Sequence, residues 1–137
     1  MKRLLALAWV AALLGGCGLS PALQAGQAAH VTLYLPGALP HGLRYRSARR
    51  IGPHMVYLDY GAARRTLVLF ESPEPIAPPP GAVQAGANAW EAVAVVRGET
   101  VRSLLLRRPQ TYIEAVATGL SAADLRIVQD SLQAHAP

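Results

Sequence analysis

Short apolar stretches separated by glycine, proline and polar pairs run from Val31 to Thr118, the spacing of an antiparallel sheet rather than of helices. Residues 31–35 are apolar and stop at Pro36-Gly37. Residues 43–51 alternate, setting Leu43, Tyr45 and Ile51 on one side of a strand and Arg44, Arg46 and Arg50 on the other. Gly52-Pro53 punctuates the chain, residues 55–60 form the hairpin partner, and Gly61-Ala62-Ala63-Arg64 makes the next turn. Residues 66–71 read as a strongly apolar strand, and residues 90–97, 101–108 and 112–118 as three more. The two-residue steps Gly98-Glu99 and Pro109-Gln110 suit tight antiparallel connections. Between the two sets, residues 72–81 (SPEPIAPPPG) cannot pair in a ladder and favour polyproline geometry, as a stiff surface loop or a recognition segment.

The pattern changes period after Thr118. Ser121 and Asp124 have the spacing of a capping box, with Leu120 and Leu125 placed as a hydrophobic staple. At 100° per residue, Leu125, Ile127, Val128 and Leu132 share one arc, opposite Arg126, Gln129, Asp130 and Gln133. These signals predict an α+β fold: an antiparallel meander of about six or seven strands with one C-terminal amphipathic helix packed on one face. Several strands are apolar at nearly consecutive positions, so both sheet faces carry apolar side chains. Either the sheet curls on itself, or its second face is open to a ligand or partner.

The first eighteen residues follow a different logic. Lys2 and Arg3 precede an unbroken apolar run from Leu4 to Leu14, then Gly15-Gly16-Cys17-Gly18. That run is too short to cross a bilayer, which takes about 20 residues. A basic start, a short apolar core and small residues before a cut site describe a secretory signal. The tetrapeptide Leu14-Gly15-Gly16-Cys17 resembles the lipobox of bacterial lipoproteins. The resemblance implies cleavage between Gly16 and Cys17, a thioether from Cys17 to diacylglycerol, and acylation of the new amino terminus. It also implies an extracytoplasmic protein held at the membrane by this anchor. Gly18 follows the cysteine where inner-membrane lipoproteins of enteric bacteria carry aspartate, which favours the outer membrane in a host with two. The expected organisation is a signal over residues 1–16, the lipidated cysteine and a flexible tether over 17–29, and a single α+β domain over 30–137.

Composition narrows the partners. Hydrophobic residues make up 52% of the chain and charged residues 15%, enough to bury a core. The thirteen basic residues less Lys2 and Arg3 leave eleven arginines against eight acids, a charge of about +3 on residues 17–137. Arg44, Arg46, Arg49 and Arg50, with Arg64-Arg65 and Arg107-Arg108, would otherwise suggest nucleic acid, but the expected compartment and the lack of a large basic excess argue against it and for solvated strand positions or contact with anionic headgroups or cell-surface polymer. Cys17 is the one cysteine, so thiol redox chemistry and cysteine-based metal sites are excluded from the domain.

Catalytic chemistry finds no foothold in the spacing. The chain carries no GxSxG, HExxH, P-loop or dinucleotide fingerprint, and its glycines sit at strand ends. His30, His41, His54 and His135 lack metal-ligand spacing, and Asp59, Glu71, Glu91, Glu99 and Glu114 fall singly on different strands. The expectation is therefore no enzyme, no metal and no cofactor. Aromatics gather on strands, and Tyr57, Phe70 and Trp90 are the candidates for an apolar binding face.

The layout from about Val31 to Leu132 resembles the extracytoplasmic β-rich domain of anti-sigma-factor-like and outer-membrane-lipoprotein-carrier-like proteins. The matching pieces are Leu39-Pro40-His41-Gly42-Leu43, Gly98 between strands, Tyr112 on the last strand, and Gly119-Leu120-Ser121 before the helix. This resemblance implies a sensing, binding or assembly module for an envelope protein or an amphiphile. A carrier sheltering acyl chains would need a cavity lined by Phe70, Trp90 and Leu104, whereas a flat apolar face fits a protein partner. A small envelope hydrolase would need an acid or histidine in a cleft beside a nucleophile.

Overall fold

The computed structural model describes residues 19–137, and the account below concerns them. The signal segment and the Gly16/Cys17 processing site lie outside the described residues. In chain order the elements are α1 (Leu19–Ala29), β1 (Leu33–Pro36), β2 (Arg44–Ile51), β3 (Met55–Ala62), β4 (Arg65–Ser72), β5 (Val83–Gly86), β6 (Ala89–Val96), β7 (Glu99–Arg108), β8 (Thr111–Thr118), α2 (Ala122–Ser131) and β9 (Leu132–His135).

Seven strands form one antiparallel sheet in the order β2-β3-β4-β8-β7-β6-β5, and β1 pairs with β9 in a separate two-stranded ribbon. The expected single meander is thus two: β2-β3-β4, and β5 to β8 running back from the far edge. The proline-rich stretch is the crossover between them. Residues 73–82 must pass four strand spacings, about 19 Å, and ten residues in polyproline geometry reach about 31 Å. The sheet does not close on itself: β2 and β5 remain its edges.

Alternation along the strands sorts the side chains. Val56, Leu58 and Tyr60 on β3, Leu67 and Leu69 on β4, Ile113, Ala115 and Ala117 on β8, and Leu104 and Leu106 on β7 all point to one face and are buried. This inner face carries the core, covered by α1, the β1–β9 ribbon and α2 through Ala22, Leu33, Leu125 and Val128.

Four sequence expectations need correction. The segment taken as a flexible tether is helical from Leu19 onward. Ala22, Ala25 and Ala29, at i, i+3 and i+7, form a buried stripe against the sheet, so α1 is docked rather than free. Its end is fixed by His30 in the left-handed region (φ 55°), with His30 N–H donating to Gln27 and Val31 N–H to Gly26, a Schellman closure. On β2, a bulge between Tyr45 and Ser47 reverses the alternation. Arg50 therefore falls beside Val56 on the inner side, where its Nη1 donates to the Ala28 carbonyl, and Ile51 turns away. On α2, Leu125 and Val128 are buried but Ile127 is exposed, and Leu132 opens β9 rather than extending the helix. Residues 31–35 do not join the main sheet; they contribute β1 to the ribbon. The capping box forms as the sequence predicts, Ser121 and Asp124 bonding reciprocally at 3.1 and 2.9 Å.

α1 docks mainly through small residues, Ala22, Ala25, Gly26 and Ala29, with Leu23 packed at its edge, so the space for larger groups beneath it is small. Ala29→Leu is expected to destabilise the protein by about 1–3 kcal/mol through overpacking, read as a lower urea midpoint. An unchanged midpoint would mean that α1 is not packed on the sheet.

Candidate functional site

The outer face of the seven-stranded sheet carries no helix among the described residues. Strand register strings one transverse row of side chains across it: Arg49, Tyr57, Phe70, Glu114, Leu105, Trp90 and Gln84. Each residue directly opposes the next on the neighbouring strand, so the row crosses all seven strands. The three residues singled out from the sequence, Tyr57, Phe70 and Trp90, all fall on it.

They are not equally close. Tyr57 and Phe70 meet edge to face, ring centroids 5.5 Å apart at 68°, the geometry aromatic quadrupoles prefer. The Arg49 guanidinium lies over the Tyr57 ring at 4.9 Å, and Arg107 over Tyr112 at 5.8 Å. Trp90 stands three strand spacings from Phe70, about 14 Å, with Glu114 and buried Leu105 between them. Tyr57, Phe70 and Trp90 are half-buried. A second row, Asp59, Val68, Val116 and Ser103, runs beside the first. The result is a strip with a Tyr57–Phe70 pair near the β2 edge, flanked by Arg49, and Trp90 near the β5 edge, with Glu114 and Leu105 between them.

Leu104 is on the opposite face, buried against Ala115. A cavity bounded by Phe70, Trp90 and Leu104 therefore cannot form. The space between α2 and β6–β7, bordered by Val93, Arg102, Leu125 and Gln129, has a volume of about 30 Å³. That is room for roughly one water, whereas even benzene occupies a cavity of about 150 Å³. Between α2 and β6–β7 there is thus no chamber for an acyl chain.

A larger cleft, about 430 Å³, opens at one end of the sheet and is bordered by Arg64, Glu99, Thr100, Arg102, Thr118 and Leu120. Its lining holds one carboxylate and no histidine. Among the described residues no group of three histidine, cysteine, aspartate or glutamate side chains is placed to hold a metal ion. His54 Nδ1 lies 3.1 Å from the Ala29 carbonyl, and Arg65 donates to the His41 carbonyl; both contacts belong to the fold's own framework.

The sequence reading passed over one functional group. Glu71 follows Leu67 and Leu69 at i+2 steps, which places its carboxyl on the inner face, fully buried. Oε1 accepts the Tyr34 N–H at 2.7 Å, supplying the acceptor that this N–H of β1 lacks within its ribbon, while Oε2 has no partner. Burial pushes the Glu71 carboxyl up to about 8, against the opposing pull of the Tyr34 hydrogen bond. The Tyr60 hydroxyl is also raised, first by burial, then by the Glu71 charge and by Tyr45. This group is structural: it ties β1 to β4 and faces no opening.

Comparison with known protein families, curated proteins and solved structures found no match for the chain.

Proposed function

We propose that this chain is a non-enzymatic, lipid-anchored envelope lipoprotein whose outer sheet face docks a protein partner close to the membrane. The anchor is the lipid on Cys17, and the outer membrane is its destination in a host with two membranes. The observation that carries the docking reading is the single row that sets Tyr57, Phe70 and Trp90 on one face, with no helix over them among the described residues. Aromatic and arginine side chains dominate the energetics of protein interfaces, and this strip offers both. Arg49 at one end of the strip and Arg107 beside Tyr112 favour a partner that presents acidic groups to them. The alternative of a lipid carrier draws no support from the 30 Å³ space under α2. A hydrolase draws none from a cleft lined by two arginines, two threonines and Glu99.

A photoreactive residue placed at Phe70, in the full chain in its native envelope, is expected to give a discrete protein adduct. The same group at exposed Arg126 on α2 is expected to give none of it. Trp90→Ala weakens capture at least about tenfold, as loss of an interface anchor does. Equal adducts from both positions, or turnover of an envelope substrate by the purified protein, would overturn this reading.

A further inference from the structure

The cleft at the end of the sheet shares no lining residue with the aromatic row on the outer face. Two connections build it. The β3–β4 turn carries Arg64, and the β8–α2 connection carries Gly119 and Leu120. They meet at Gly119, whose φ is 73°: a Cβ there would stand 3.1 Å from the Arg64 carbonyl oxygen and 3.1 Å from Arg65 Cγ. A residue without a Cβ lets the Arg64 turn settle against the end of β8. The start of β7 supplies Glu99 and Thr100, and Arg102 follows two residues on.

Arg102 is the distinctive member. Register sets it opposite Ala117, on the inner face, so its side chain borders both the small space under α2 and the open cleft. Its Nε is shut off from solvent and has no hydrogen-bond partner. A desolvated guanidinium edge without an acceptor attracts an oxyanion more strongly than a hydrated one does. Arg64, exposed in its turn, adds a second guanidinium to the lining.

The donor set selects the ligand. Arginine only donates, an ionised carboxylate only accepts, and threonine does either. Two guanidiniums call for more oxygens than a single carboxylate offers, whereas a phosphate ester presents several together with its negative charge. Glu99 repels a bare oxyanion but accepts hydrogen bonds from hydroxyl groups. We infer that this cleft binds a phosphorylated polyol, its phosphoryl oxygens on Arg64 and Arg102 and its hydroxyl groups on Glu99. The volume of about 430 Å³ lies in the range of small-ligand sites. A free polyol phosphate and the headgroup of an anionic glycerophospholipid present this same chemistry.

The test is calorimetric titration of the full chain extracted in a neutral detergent, with isotope-labelled arginine to follow the side-chain N–H signals. Glycerol 1-phosphate should bind, shift the Nε–H signal of Arg102, and bind several-fold tighter than inorganic phosphate. Arg102→Gln and Arg64→Gln should each weaken it at least about tenfold. Arg44→Gln, at an exposed position on the edge strand β2, should leave it unchanged. Arg64 is exposed in a turn, so its substitution reads the site independently of any loss of stability in Arg102→Gln. Glu99→Ala should erase the preference for glycerol 1-phosphate over inorganic phosphate. In a second arm, phosphatidylglycerol is added to the micelles, with phosphatidylcholine as its control. A response to phosphatidylglycerol in place of the soluble ester assigns the ligand as a lipid headgroup. No response in either arm, an equal response to phosphatidylcholine, or binding that survives Arg64→Gln would each overturn the inference.

Discussion

Raising the pH from about 5 to about 8 is expected to weaken the fold steadily, and Glu71→Gln is expected to abolish that dependence. Unfolded, this carboxyl ionises near its ordinary value; folded, it holds its proton up to about 8, because it is buried with Oε2 unpaired. Below the unfolded value both states are protonated, and the contribution to stability is fully present. Between the two values the unfolded chain releases a proton that the folded chain retains. Stability therefore falls as pH rises, by up to about 1.4 kcal/mol per pH unit. Above the folded value both states are ionised and the loss levels off. Tyr60, also raised, acts in the same direction at more alkaline pH. Glutamine keeps an oxygen for the Tyr34 N–H but cannot titrate, so the slope should vanish while the β1 contact survives. Glu71→Leu removes slope and acceptor together and leaves a buried N–H unpaired, costing about 1–3 kcal/mol at low pH. Urea unfolding at four pH values separates the three proteins. A flat profile for the unsubstituted chain would refute the buried-acid account.

Cys17→Ser is expected to move the protein almost entirely from the membrane fraction to the soluble fraction, and to stop its processing. One fatty chain holds a protein only marginally, while each buried methylene contributes roughly 0.8 kcal/mol. Two or three chains on Cys17, as proposed, would make release negligible, and serine accepts none by a thioether. No helix among the described residues is long and apolar enough to cross a membrane. On the proposed anchoring, its loss should show as a change in nearly all of the protein. The substitution should leave the urea midpoint of the extracted domain unchanged, because the core is built from Ala22 onward among the described residues.

The strands were legible because alternation, proline and glycine mark them directly, and β3, β4, β6, β7 and β8 lie within two residues of the expected bounds. The capping box at Ser121 was equally plain. The docked helix α1 was hidden because alanine carries little hydrophobic signal. Its stripe of Ala22, Ala25 and Ala29 reads as low complexity until a sheet is there to receive it. Its closure also uses His30 in a conformation usually left to glycine. The bulge on β2 leaves no residue signature, so Arg50 and Ile51 beyond it were assigned to the wrong side. The β1–β9 ribbon joins segments about a hundred residues apart, a pairing that local periodicity cannot report. The binding face was half legible. The aromatic residues stood out, but only the register across five strands aligns Tyr57, Phe70 and Trp90 and removes Leu104 to the other side.

The central proposal, a globular module tethered outside the cytoplasm by lipid, is tested most directly by the intact mass of the protein extracted from its own membranes. The account predicts a chain that begins at Cys17 and carries the added mass of a diacylglyceryl group together with an amide-linked acyl chain. A chain that still begins at Met1, or one with a free thiol at Cys17, would contradict it.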